Sequence, residues 1–171
     1  MWKWLLWIAA VPVGVGLVVF VVGSLLPKDH VARAEAVVQA PPAEVAALVR
    51  EVERQPGWRR SVTGIEIVRR EGGVLRYIER SGGDAILFDF AEERPDALFR
   101  TTIADPDLPF GGSWTIALAP AAAGTRVAIE EQGSVTNPIF RFVSRFVFGH
   151  DGTMKAYLAD LQRAASASPA G

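Results

Sequence analysis

Hydrophobic and polar positions divide this chain into an uncharged stretch, a run of alternating segments and two helical stretches. From Trp4 to Leu26, 23 consecutive positions carry no charged side chain. At ~1.5 Å per residue a helix of that length reaches roughly 34 Å, enough to cross a ~30 Å hydrocarbon core. Lys3 ahead of an apolar run also fits a secretion signal. The run is, however, longer than the ~7–15 residues of a signal's apolar region, and Val22 to Pro27 offers no A-x-A cleavage site. Trp2, Trp4 and Trp7 gather at one end, as aromatic residues do at a lipid–water interface. The expectation is a single-pass membrane anchor with its juxtamembrane segment in residues 1–30. Lys3 and the amino terminus on one side are matched by Lys28 and Arg33 on the other, so the side of the membrane stays open.

After Pro27 the pattern is that of a water-exposed domain. Val31 to Ala40 predicts a first strand, ended by Pro41-Pro42. A helix follows, with Pro42 suited to its first position, Glu44 favourable to its dipole, and Val45, Leu48, Val49 and Val52 at helical spacing. Pro56-Gly57 ends it, and Trp58-Arg59-Arg60 predicts a short turn. Six strands are then read from period-two segments: Ile65 to Val68, Val74 to Ser81, Ala85 to Ala91, Leu98 to Ile103, Ser113 to Leu118 and Thr125 to Val135. Their short Gly-containing connections favour antiparallel hairpins over crossovers. The longest break, Ala104 to Gly112, holds Leu108 and Phe110 and is a candidate lid.

Asn137-Pro138 signals a helix start. Ile139, Val143, Phe146, His150, Met154, Tyr157 and Leu161 then keep one face for over six turns. Gly149 and Gly152 weaken the middle of that helix and invite a bend or break. Residues 166–171 are small and polar and are read as a disordered tail. Residues 31–165 therefore form one domain with one core.

Composition narrows the chemistry. With 18 basic and 19 acidic side chains, the formal charge of −1 gives no basic field for nucleic-acid phosphates. Cysteine is absent and histidine occurs only at positions 30 and 150, without HExxH or paired-histidine spacing, so no metal is expected. The chain has no GxGxxG, P-loop or GxSxG motif, and no cofactor is expected. Arg59, Arg60, Arg69 and Arg70 cluster in sequence, but exposed strand and turn arginines beside Glu66 and Glu71 read as a solvated surface. If Val127 and Ile129 point inward, strict alternation turns Glu131 inward too, where a carboxylate suits acid–base work. A bulge near Gly133 would shift that register. His150 lies on the helix stripe, able to meet Glu131 or Tyr77, unless a break at Gly149 rotates it outward. Trp114 is in phase with Ile116 and Leu118 as a wall residue. Trp58 either covers the first helix or rims a pocket. The Phe-rich run Phe140 to Phe148 surrounds more than one helix face and is a candidate contact with a bilayer or a partner.

The order strand, helix, short turn, six antiparallel strands and C-terminal helix resembles the helix-grip fold of the START-like (SRPBCC) superfamily, in its polyketide cyclase/dehydrase and lipid-transport-like branch. The likeness rests on the opening strand into Ala40-Pro41-Pro42-Ala43-Glu44-Val45 and on Pro56-Gly57-Trp58-Arg59. It continues in Gly112-Ser113-Trp114-Thr115, Leu118-Ala119-Pro120, Gly124-Thr125-Arg126-Val127 and Glu130-Glu131-Gln132-Gly133. The resemblance implies an α+β fold: a seven-stranded curved antiparallel sheet wrapped around a long C-terminal helix, with an elongated apolar cavity between them. Trp58, Tyr77, Phe88, Trp114, Ile116, Ile129, Glu131, Val143, Phe146, His150 and Met154 are then the candidate cavity residues, with no metal ligand among them. The leading expectation is a membrane-anchored module that binds a lipid or polyketide-like molecule without a cofactor. The alternatives are a cyclase or dehydratase using Glu131 and His150, with Tyr77 or Arg76 polarising a carbonyl, and a non-catalytic interaction protein of a membrane complex.

Overall fold

The computed structural model describes residues 2–148 and 151–167, with side chains described from residue 14 onward except at 147 and 148. The uncharged run forms a helix, α1 (Trp2–Leu25). Among the described residues no helix is long and apolar enough to cross a membrane, so the described helices do not support the transmembrane element expected from Trp4 to Leu26. β1 (Asp29–Val38) follows, then α2 (Pro42–Arg50) and a 3-10 turn (Val52–Gly57). Six strands come next: β2 (Val62–Glu71), β3 (Val74–Ser81), β4 (Asp84–Arg94), β5 (Leu98–Ile103), β6 (Phe110–Ala121) and β7 (Gly124–Val135). The chain closes with α3 (Pro138–Val143), a π-helical turn (Ser144–Phe148) and α4 (Gly152–Ala167).

All seven strands form one antiparallel sheet in the order β1-β7-β6-β5-β4-β3-β2. β2 to β7 pair as successive hairpins, and β1 returns to the open edge of β7. The β1–β7 and β6–β7 registers run without a shift, so no bulge disturbs the alternation at Gly133. Thr125, Val127 and Ile129 are buried on one face while Arg126 is exposed on the other. That face is the inner one, as the alternation requires.

The core lies between this face and the helices. Val45, Ala46 and Val49 of α2, and Met154, Tyr157, Leu158, Leu161 and Ala165 of α4, pack against Leu75, Tyr77, Phe90, Phe99, Ile116, Leu118, Val127 and Ile129. On β1 the inner positions are Ala32, Ala34, Ala36 and Val38, whereas Val31 and Val37 are exposed. The three small alanines leave room for α4 to approach the strand.

Two sequence expectations are corrected. Phe110, Gly111 and Gly112 belong to β6, and the carbonyl of Pro109 accepts hydrogen bonds from both the backbone N–H and the hydroxyl of Thr136. The candidate lid is therefore a short connection tied to the segment before α3. The long C-terminal helix is also divided: α3 is capped by Asn137, whose side chain accepts from the N–H groups of Ile139 and Phe140, and α4 begins only at Gly152.

Asp160 of α4 ties the helix to the segment that follows the 3-10 turn. Its carboxylate accepts from the backbone N–H and Nε of Arg60, both at 2.8 Å, and from Arg163. Arg163 in turn donates to the carbonyl of Trp58 at 3.0 Å. Burial is the largest single influence on Asp160 and opposes its charge, but the hydrogen bonds from Arg60 and Arg163 together outweigh it and hold the carboxyl below its ordinary value of 3.8. A lowered folded-state value means the charged form stabilises the fold at pH above the ordinary carboxylate range, and this contribution is lost as pH falls through the lowered value. Asp160→Asn is expected to destabilise by about 1–3 kcal/mol near neutrality. The gap from the unmodified protein should narrow in acid, as read from urea unfolding at a series of pH values.

Candidate functional site

The inner face of the sheet carries its polar groups in adjoining rows. Register puts Leu75, Phe90, Thr101, Trp114, Glu131 and Ala32 side by side across six strands, and Tyr77, Phe88 and Ile103 in the next row. His30, two residues before Ala32 on β1, stands opposite Gly133. A Cβ at Gly133 would strike the His30 imidazole, so a glycine there makes space for the ring.

Glu131 and His30 form the first polar cluster. His30 Nε2 is 2.9 Å from Glu131 Oε1, and Trp114 Nε1 donates to Glu131 Oε2 at 2.5 Å. The indole is a donor only, so Oε2 is held as an acceptor, while the direction of the other contact follows the His30 tautomer. Both side chains are about four-fifths buried. A histidine paired with a carboxylate in this way can take up or release a proton. An open depression of about 420 Å³, bordered by Asp29 to Val31 and Gln132 to Ser134, lies beside His30 at this edge of the sheet.

The second cluster is deeper. The Arg59 guanidinium makes a two-pronged ion pair with Glu79 at 2.6 and 3.0 Å, donates to Gln55 Oε1 at 2.8 Å, and lies 5.4 Å from the centre of the Tyr157 ring. Tyr157 packs edge-on against both Trp58, at 5.4 Å, and Trp114, at 6.0 Å, and so links the two clusters. Tyr77 stacks on Phe88 at 5.6 Å. Burial pushes both the Tyr77 and the Tyr157 phenol well above their ordinary value, Glu79 adding to this and Arg59 opposing it, so both remain neutral at physiological pH. Among the described residues, the Tyr157 hydroxyl and Trp58 Nε1 are fully buried without a hydrogen-bond partner. A buried donor left unpaired costs about 1–3 kcal/mol.

At the opposite edge a second open depression, of about 370 Å³, reaches the inner-face residues Leu75 and Phe90 and is rimmed by Arg50 and Glu92. Between the two depressions the aromatic side chains named above fill the concave face.

Residues 29–166 match a family model described as "Polyketide cyclase / dehydrase and lipid transport". The chain belongs to this family. Solved structures share the fold. A START superfamily protein from Mycobacterium smegmatis is 16% identical with a TM-score of 0.62, the match covering 80% of this chain and 97% of that one. A protein from Thermus thermophilus is 25% identical with a TM-score of 0.65, covering 82% and 100%. The Zhui aromatase/cyclase from Streptomyces sp. R1128 is 12% identical with a TM-score of 0.63, covering 81% and 94%. None of the curated proteins matches the chain in sequence.

The family fold gathers most of the sequence-predicted site residues on one face. Tyr77, Ile116, Ile129 and Met154 are buried in the core, with Trp58, Phe88 and Trp114 packed against it, and Glu131 faces inward as alternation required. Val143 is only half-buried and outside the core cluster, and Phe146 is exposed, so Phe146 does not line the interior. Val143 lies in α3 and Phe146 in the π-helical turn, both separate from α4, which carries Met154, Tyr157 and Leu161. His150 lies outside the described residues. Arg76 is directed to the outer face, paired with Asp89 at 2.6 Å. Arg59 corrects the surface reading of the arginines, since it turns inward; Arg60, Arg69 and Arg70 pair with Asp160, Glu71 and Glu53 near the surface.

Sequence reasoning missed His30, Arg59, Glu79 and the role of Tyr157. His30 had a signal, since it is in phase with Ala32, Ala34, Ala36 and Val38 while Arg33 and Glu35 alternate with them. Tyr157 lay on the helix stripe. Arg59 had none, because a turn has no periodicity to assign its direction. A double-mutant cycle of His30→Ala and Glu131→Ala, followed by urea unfolding, is expected to give a coupling energy of about 0.5–3 kcal/mol. A coupling of zero would show that the two side chains do not interact in solution.

Proposed function

We propose that this domain binds a hydrophobic small molecule, of lipid or polyketide-like character, between the concave sheet and α4, and that α1 holds it at a membrane. The observation that carries the reading is the pair of buried, unpartnered donors, Tyr157 Oη and Trp58 Nε1, within an aromatic interior. Apolar lining with a few convergent polar groups is the general character of a small-molecule site. A ligand with one carbonyl, hydroxyl or carboxylate oxygen would supply the acceptor these donors lack, while its apolar body takes the place of side chains filling the concave face. The family description, which names both cyclases and lipid transport, supports the same ligand class.

The membrane part rests on the 23 uncharged positions from Trp4 to Leu26. A ligand of an apolar site partitions into bilayers, so a tether shortens its path to the domain. The site asks for no cofactor in this reading. Native mass spectrometry of the full chain, purified in detergent and exchanged into lipid, is expected to detect a retained lipid or an added fatty acyl probe. Tyr157→Phe should weaken retention about 5- to 15-fold, the equivalent of one hydrogen bond of ~1–1.5 kcal/mol, without lowering stability. Absence of any retained or added apolar ligand would overturn the reading.

A second reading follows from the 2.9 Å contact between His30 and Glu131. In it the bound molecule is also transformed, Glu131 and His30 moving a proton during a cyclisation or dehydration. His30 here takes the part expected of His150. Glu131→Gln is expected to keep ligand retention and to abolish conversion, followed as a mass change of the bound species. A ligand that leaves the unmodified protein chemically unchanged would reduce the function to binding.

A further inference from the structure

α3 and the π-helical turn are joined to the end of α1 by two close contacts. Gly23 is buried against Pro138 so tightly that a Cβ there would collide with the Pro138 carbonyl. One turn further on, the buried Arg141 donates to the carbonyl of Leu26 at 2.8 Å and to that of Thr136 at 3.3 Å. The last carbonyls of a helix lack partners within it, and the Arg141 cation satisfies one of them where the dipole is negative. These contacts hold α3 level with the final turn of α1, within about 5 Å along its axis.

Beside that turn the chain exposes Ile139 at 48%, Phe140 at 51% and Phe146 at 60% of their surface, with Leu25 of α1 exposed at 82%. Phe142 packs against Phe146 at 4.9 Å, so the aromatics form a patch. Arg145 is exposed between them, and residues 136–150 contain two arginines and no acidic side chain. Apolar side chains interleaved with basic ones are the composition of segments that lie in the headgroup region, where rings enter the acyl boundary and cations meet lipid phosphates.

We infer that Pro138 to Phe148 is an interfacial element docked on the same bilayer that α1 enters. The patch is continuous with the uncharged helix, and its level is set by the Gly23–Pro138 and Arg141–Leu26 contacts, which makes lipid its occupant in preference to a protein. β1 begins three residues after Leu26, and the depression beside His30 therefore opens close to the bilayer surface. The inference rests on the reading of α1 as a membrane span and adds a second, separate contact with the lipid.

The absence of cysteine permits single fluorophores at introduced thiols. Phe140→Cys, Phe146→Cys, Leu17→Cys on α1 and Val68→Cys on β2, at the opposite edge of the sheet, are each labelled with an environment-sensitive dye. The full chain is reconstituted in vesicles of phosphatidylcholine and phosphatidylglycerol carrying a nitroxide high on the acyl chain. Labels at 140, 146 and 17 are expected to shift to shorter wavelength and lose more than half their emission to the nitroxide, while the label at 68 stays unquenched. Quenching at 17 but not at 140 or 146 would overturn the interfacial element and leave the anchor standing. No quenching at 17 would overturn both. A shift at 140 and 146 that depends on protein concentration and not on nitroxide would assign the patch to a second copy of the chain, and would also overturn the inference.

Discussion

The seating of α4 in the concave face of the sheet is the contact on which the rest of the domain depends. Met154 and Leu161 are fully buried there, flanked by Tyr157, Leu158 and Ala165. The sheet can receive the helix because β1 offers Ala32, Ala34 and Ala36 where larger side chains would hold it off. Burial of side chains of this size supplies ~1.5–3 kcal/mol each, and it also decides which sheet face faces water. Once α4 is seated, Tyr157 is fixed between Trp58 and Trp114, and Asp160 is placed to hold the turn that carries Trp58, Arg59 and Arg60.

That arrangement puts charge and hydrogen-bonding capacity where an ordinary core would have neither. Arg59 and Glu79 satisfy one another at short range, and Glu131 uses both oxygens. Buried ion pairs of this kind are weak contributors to stability beside apolar side chains of similar volume. Among the described residues, Tyr157 Oη and Trp58 Nε1 remain unpaired in this interior, which destabilises the domain further. A core that keeps such groups in neighbouring rows of one face is better explained by what they contact in function than by what they add to stability.

The outer face is organised differently. Arg76 and Asp89, Arg33 and Glu130, and Arg80 and Glu66 pair there as exposed or half-exposed ion pairs between neighbouring strands. Such pairs add little each, but they place alternating charge across the sheet, where Val31, Val37 and Val68 are among the exposed apolar side chains.

Much of this was legible in the chain. Period-two segments joined by Gly-containing turns specified the strands and their antiparallel pairing, because side-chain direction alternates regularly along a strand. The inward position of Glu131 follows from the same rule. Asn137-Pro138 marked the start of α3 through local capping geometry, and the uncharged run marked α1. Direction in the turns and phase across the helix break were not legible. Arg59 meets Glu79 in a segment held both by Gln55 and, through Arg60, by Asp160, 100 residues from Arg60. Phe146 is exposed, and the stripe that the sequence carries unbroken is divided among α3, a π-helical turn and α4. His30 faces Glu131 because β1 pairs with β7 in one register and not its neighbour. The sequence by itself thus determined the elements and the faces within each, since these depend on residues a few positions apart. Which faces meet, and which polar groups share the interior, was decided by tertiary packing, because those contacts join positions from 17 to 101 residues apart that no local period relates.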